Sequence, residues 1–147
     1  MKYTGPMDAQ RFRKLADELA ERDPTLTARL RGAREAARVL RDAAFEAVEA
    51  FRQRAAELGA GYLGNIEVSG VEPDEKHVDA VQFRITRGRL EVICVAVARG
   101  EGKMRVVGPF KRGKEEGPCA EAPLRGAEIE TLLEERLAAL VREATGV

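Results

Sequence analysis

The most extended pattern in the chain runs from Thr25 to Leu58. Its apolar positions Leu26, Leu30, Ala33, Ala37, Leu40, Ala44, Ala47, Phe51, Ala55 and Leu58 recur at alternating steps of four and three. That spacing keeps one stripe on one face of a helix, and Ala36, Val39, Ala43, Val48 and Ala50 widen it. Asp23-Pro24 supplies a start signal, because Asp can cap free amides and Pro tolerates the first helical position. Gly59 supplies the stop. The stripe is half alanine, which allows close approach but buries little area per residue. It is read as the core side of an α+β domain, with a helical dimer seam as the alternative.

Two shorter helices flank this one. Asp8 to Arg22 carries Phe12, Leu15, Ala16 and Leu19 on one side, with Asp8 as its cap, and the Asp23-Pro24 break predicts that it folds back beside the long helix. Ala127 to Ala144 turns Ile129, Leu133, Leu137, Leu140 and Val141 inward.

After Gly59 the period changes to two. Tyr62, Gly64, Ile66 and Val68 alternate with Leu63, Asn65 and Glu67, which predicts a first strand, and Ser69 to Lys76 reads as an exposed loop. Val81, Phe83 and Ile85 then alternate with Gln82, Arg84 and Thr86. A two-residue turn at Arg87-Gly88 sets Ile85 against Leu90, Phe83 against Val92 and Val81 against Cys94, with Arg84 opposite Glu91. Leu90 to Ala98 is apolar on both faces and is predicted to be central. An odd-length turn through Gly100-Glu101-Gly102 leads into a fourth strand, Met104 to Phe110, with Met104 and Val106 beside Ala98 and Ala96. Gly108 to Gly126, broken by three prolines, reads as irregular, most of it a loop over 111–126. The sum is α-α-β-β-β-β-α: an α+β fold of a helical hairpin with one long helix, a four-stranded antiparallel meander and a C-terminal helix. It forms one domain over 1–147, with residues 1–7 as a tail.

Composition adds modestly to this. A chain of 147 residues can bury about 70% of its unfolded surface without disulfides or metal. Arg far outnumbers Lys, and Ala and Gly abound, a composition expected of a bacterium with a GC-rich genome. The N-terminus has no apolar targeting core, and the Val92–Ala98 run is about a third of the roughly 20 residues a membrane span needs. Two cysteines make no disulfide framework, so the expected compartment is the reducing cytoplasm.

The motif searches exclude more than they suggest. Gly59-Ala60-Gly61-Tyr62-Leu63-Gly64 fits the dinucleotide fingerprint letter for letter, but here a helix ends and a strand begins, the reverse of the required order. Gly108 to Lys114 has P-loop spacing, yet Glu115-Glu116-Gly117-Pro118 follows where a hydroxyl and a helix are needed. His77 is the single histidine, which excludes paired-histidine metal sites. A nucleophilic pair would need His77 to meet Cys94, predicted to face the apolar side, or Cys119, predicted to be a loop thiol near Lys114 and Arg112. No cofactor, metal or catalytic residue is implied, and a non-enzyme is expected.

Charge is segregated although it sums to zero. Residues 84–114 hold nine basic side chains against two acidic ones, a balance of +7, whereas 57–83 and 115–147 each balance at −5. Arg31, Arg34, Arg38 and Arg41 form a ridge on the long helix. With Arg87, Arg89, Lys111 and Arg112 of the hairpin they could follow phosphates, though stacking aromatics are scarce. A third reading places a small ligand between the long helix and the sheet, lined by Phe51, Tyr62 and Phe83. The leading reading rests on the far face of the central strand. There Ile93, Val95, Val97 and Val107, fringed by Arg84 and Arg105, form an apolar patch that a monomer seldom leaves bare. Either the C-terminal helix covers it, or a second copy or a protein partner does. The chain is therefore expected to be a homodimer or an adaptor-like protein-binding module.

Overall fold

The computed structural model describes residues 7–22, 24–74, 77–113 and 117–146. The tail before Met7, the cap at Asp23, Lys76 and the Lys114-Glu115-Glu116 stretch lie outside the described residues.

Helix α1 spans Ala9–Arg22, and the Asp8 carboxylate accepts from the Gln10 amide at 2.9 Å, as an N-cap does. Helix α2 spans Pro24–Glu57. Its end is a Schellman motif: Ala60 N–H donates to Ala55 at 2.8 Å and Gly59 N–H to Ala56 at 3.0 Å. The expected stripe holds over the first half, where Ala33, Ala37, Leu40 and Ala44 are buried, and then rotates to Val48 and Ala55. A strict four-three alternation drifts by about 20° per heptad on a straight helix, so Ala47, Phe51 and Leu58 have turned outward. The stripe packs into the chain's own core, not a helical dimer seam.

Among the described residues six strands follow: β1 (Glu67–Val68), β2 (Glu72–Pro73), β3 (Ala80–Arg87), β4 (Leu90–Val97), β5 (Lys103–Lys111) and β6 (Cys119–Ala122); helix α3 (Ala127–Thr145) comes last. The sheet is an antiparallel meander in the order β1-β3-β4-β5-β6, with β2 on the same edge of β3 as β1.

The hairpin forms between the expected strands with its partners shifted by two. Arg87 pairs with Leu90, Ile85 with Val92, Phe83 with Cys94 and Val81 with Ala96. The turn is therefore Gly88-Arg89, with Gly88 first rather than second. Because side chains alternate with period two, the shift leaves every residue on its expected face. Across the next turn the same displacement pairs Ala96 with Met104 and Cys94 with Val106.

Three segments depart from the expected pattern. Between Tyr62 and Val68, a 3-10 turn over Gly61–Gly64 replaces most of the predicted strand. The carbonyls here go to arginines instead of a ladder: Arg52 takes those of Gly64 and Ile66, and Arg87 those of Leu63 and Tyr62. The predicted loop after Ser69 runs along the β3 edge as β2, and the Ser69 hydroxyl accepts from Arg84 N–H at 2.7 Å. The predicted irregular stretch after Gly108 contains the last residues of β5 and all of β6, the latter held between Pro118 and Pro123.

Both long helices lie on one face. Ala33, Leu40, Val48, Ile129, Leu133 and Leu140 share a single core with Phe83, Ile85, Val92, Cys94, Met104 and Val106. Helix α1 does not fold back into this core: none of its residues is buried. Among the described residues no helix is long and apolar enough to cross a membrane.

Candidate interaction face

Among the described residues no helix packs on the opposite face of the sheet, and strand parity dictates what it shows. Arg84 stands opposite Ile93, Gln82 opposite Val95 and Ala80 opposite Val97. On the other side Ile93 pairs with Val107 and Val95 with Arg105, and beyond them lie Cys119 and Glu121. Ile93, Val95, Val97 and Val107 are half-buried. All six residues singled out from sequence, these four with Arg84 and Arg105, line one shallow cleft of about 350 Å³.

Phe110 joins them through a device that alternation alone hides. Even-numbered β5 residues point to the core, but the β4–β5 register shifts between Glu91 and Ile93, so Phe110 pairs with Glu91 on the open side. The bulge contains Gly108 and Pro109, joined by a cis peptide, and a proline without an N–H is at home where the ladder is interrupted. Phe110 is consequently buried outside the main core, at the end of the cleft. A Gly-Pro pair inside an apolar strand was the available signal.

The cleft is fringed by charges of both signs, loosely paired within the chain. Arg84 lies 3.6 Å from the buried Glu91 carboxylate and 3.5 Å from that of Glu72. It also donates at 3.0 Å to Gln82, whose amide oxygen turns toward it. Arg105 and Lys103 share Glu121 at 3.3 and 3.7 Å. At the β2–β3 end, His77 Nδ1 is 3.3 Å from Asp74, and Asp79 is 3.0 Å from Arg99. Gln82, Asp74, His77 and Asp79 all line the cleft, and none was singled out from the sequence as part of this patch. Edge strand β2 and its loop bring the last three there.

The other candidate groups are not assembled in the same way. Phe83 is fully buried, whereas Tyr62 is 72% and Phe51 37% exposed, so these three do not line a common ligand cavity. Arg87, Arg89 and Lys111 do meet, around Leu90 and beside Glu143 at the end of α3, where cations suit a helix C-terminus; Arg112 N–H donates to the Arg89 carbonyl. Of the α2 ridge, Arg41 comes nearest to them, because Val68, whose carbonyl it takes, pairs with Ile85, two residues before Arg87; Arg31 lies about 15 Å further along the axis at 1.5 Å per residue. Arg41 itself donates to the Ser69 and Val68 carbonyls and stacks 4.9 Å over the Phe45 ring, and Arg38 pairs with Glu35 at 3.5 Å. Arg31 and Arg34 are exposed.

Among the described residues no nucleophile–base pair is built around the thiols. Cys94 projects into the core, where burial pushes its thiol far above the ordinary range, and His77 lines the opposite side. Cys119 is exposed on β6. A thiol-specific chromogenic reagent is therefore expected to modify one thiol promptly in the folded protein and the second only on unfolding. Two fast thiols would contradict the placement of Cys94. Among the described residues, no group of three or more His, Cys, Asp or Glu side chains could hold a metal ion. Comparison of the chain with protein-family models, curated proteins and solved structures finds no match.

Proposed function

We propose that this chain is a non-enzymatic oligomerising module that pairs with a second copy through the open face of its sheet. The observation that carries the reading is the sidedness of the fold. Both long helices pack on one face, while the other presents Ile93, Val95, Val97 and Val107 with a charged fringe in one cleft.

A second copy fits this face for two reasons. The fringe alternates Arg84, Lys103 and Arg105 with Glu72, Glu91 and Glu121, so it is complementary to itself, as a two-fold contact requires. The size is also sufficient. Strand β4 has eight residues; at about 3.4 Å per residue and four strands about 4.8 Å apart, the face measures roughly 27 by 19 Å. Two such faces bury on the order of 1,000 Å² in total, the lower bound for specific contacts. They would stack as two sheets of a sandwich. The two free cysteines, one buried and one exposed, suit the reducing cytoplasm of a bacterium.

Light scattering coupled to size exclusion tests the reading. The wild type is expected to be self-associated, and Val95→Glu or Val97→Glu to run at a lower mass with unchanged circular dichroism. Each substitution sets a carboxylate against an apolar partner face. A cost of about 2–4 kcal/mol corresponds to roughly 30- to 700-fold weaker pairing. Variants that keep the wild-type mass overturn it.

A further inference from the structure

Helix α1 presents a second uncovered surface, and its charges say what it fits. No residue of the helix is buried, and Phe12, Leu15 and Leu19 are 63%, 44% and 55% exposed. With Ala16 these residues fall on one stripe. A stripe of this size on a folded protein calls for a partner, and the described residues of its own chain do not bury it.

The charges along α1 are divided between its halves. Arg11, Arg13 and Lys14 (+3) stand in the first half, and Asp17, Glu18, Glu21 and the terminal Arg22 (−2) in the second. They are also divided between its sides. At about 100° per residue, Arg11, Glu18 and Arg22 border the stripe on one flank and Arg13 on the other, while Lys14, Asp17 and Glu21 lie on the back of the helix.

We infer that α1 pairs antiparallel with α1 of a second copy, in a contact separate from the sheet face. In an antiparallel pair each flank meets the same flank of its partner, and each basic half meets an acidic half. One register then places Phe12 over the partner's Leu19 and Arg11 beside the partner's Glu18. A parallel pair sets Arg11, Arg13 and Lys14 against their own copies, which repel. Arg11 already lies 3.6 Å from Asp8, but that pair is exposed and weak, so it competes little. The near balance of charge also distinguishes α1 from helices that lie on anionic membranes, which carry a strongly basic polar face. A helix of fourteen residues is marginal alone, and pairing stabilises it.

Two contacts per chain, one through the sheet and one through α1, give an assembly larger than a dimer. The inference stands on α1 alone and does not depend on the sheet-face reading. Sedimentation equilibrium on the full chain separates the two. The variant Arg11→Glu/Arg13→Glu turns both Arg11–Glu18 pairs of the contact into like-charge pairs and leaves both halves of the helix acidic, and is expected to weaken the contact about tenfold or more. Adding Asp17→Arg/Glu18→Arg to the same chain restores opposite charges in the same register, and affinity is expected to return. The expected masses are above dimer for the wild type, dimer for Arg11→Glu/Arg13→Glu, and dimer for Val95→Glu. Monomer is expected when the two sets are combined.

An association lost in Val95→Glu but unmoved by Arg11→Glu/Arg13→Glu overturns the α1 contact and leaves the sheet face standing. The converse result overturns the sheet face and leaves α1. Failure of the four-residue charge exchange to restore association, with helicity by circular dichroism intact, overturns the antiparallel register. Binding of the wild type to phosphatidylglycerol vesicles without self-association through α1 overturns it in favour of a lipid surface.

Discussion

Phe83→Ala is expected to cost about 3–5 kcal/mol of folding stability, the range for removing a fully buried aromatic ring. The ring has no solvent exposure and sits in mid-sheet between Val81 and Ile85 on its own strand, with Cys94 as its cross-strand partner. It belongs to the core shared with α2 and α3. No comparably large side chain stands ready to fill the void, because the α2 surface facing the sheet is largely alanine: Ala33, Ala36, Ala37 and Ala44 are all buried there. Small residues allow the helix to approach, but they cannot swell into a cavity. The loss is a large part of the about 5–15 kcal/mol that holds a domain of this kind together. Urea denaturation followed by circular dichroism measures it directly. Phe51→Ala is the control. Phe51 lies on the rotated part of the α2 stripe at 37% exposure and is expected to cost about 1 kcal/mol or less. Equal losses for the two would mean that the long helix packs with a different face.

That contrast shows what periodicity conveys and where it fails. Sidedness was legible in every strand of the meander, because a period of two fixes faces even when partners slip by two residues. The Gly88 turn displaced Ile85 from Leu90 to Val92 without moving either side chain to the wrong face. The α2 stripe was legible for its first half and only in part afterwards, where Ala55 is buried but Ala47 and Phe51 are exposed, since small angular errors accumulate along 34 residues. Contacts distant in sequence were not legible at all. Nothing local around Tyr62 announces that Arg52 and Arg87 will take its neighbours' carbonyls, and those bonds are what convert a plausible strand into a turn. Strand β6 was hidden between two prolines that blunt an edge strand as readily as they mark a loop. For the candidate face, the apolar floor and its two arginines could be read from alternation. Gln82, Phe110 and the acidic β2–β3 end required the bulge and the edge strand.

The bulge supplies the second large effect. Gly108 sits at φ +114, a conformation that side-chain-bearing residues rarely adopt, and a Cβ there would stand 2.5 Å from the Glu91 carbonyl oxygen and 3.1 Å from Phe110 Cδ1. Its N–H also donates to the Pro118 carbonyl at 2.8 Å, tying the approach to β6 onto the bulge. Gly108→Ala therefore meets backbone on one side and strained dihedrals on the other, and is expected to cost about 2–4 kcal/mol. Gly88→Ala isolates the dihedral part. That residue is at φ +58 with nothing within 4 Å of its Cβ position, so about 1 kcal/mol is expected. The difference between the two measures the close approach to Glu91. The geometry adds a second consequence. If the strand relieves the clash by drawing the bulge out, alternation returns and Phe110 moves from the open face toward the core, taking one end of the cleft with it. Self-association through that face should then weaken in Gly108→Ala at concentrations where the protein is still fully folded, whereas Gly88→Ala leaves it unchanged. Urea midpoints and sedimentation on the same samples separate the two effects. A Gly108→Ala protein as stable as Gly88→Ala would mean that β5 runs through this point without the bulge, and that Phe110 does not lie on the open face.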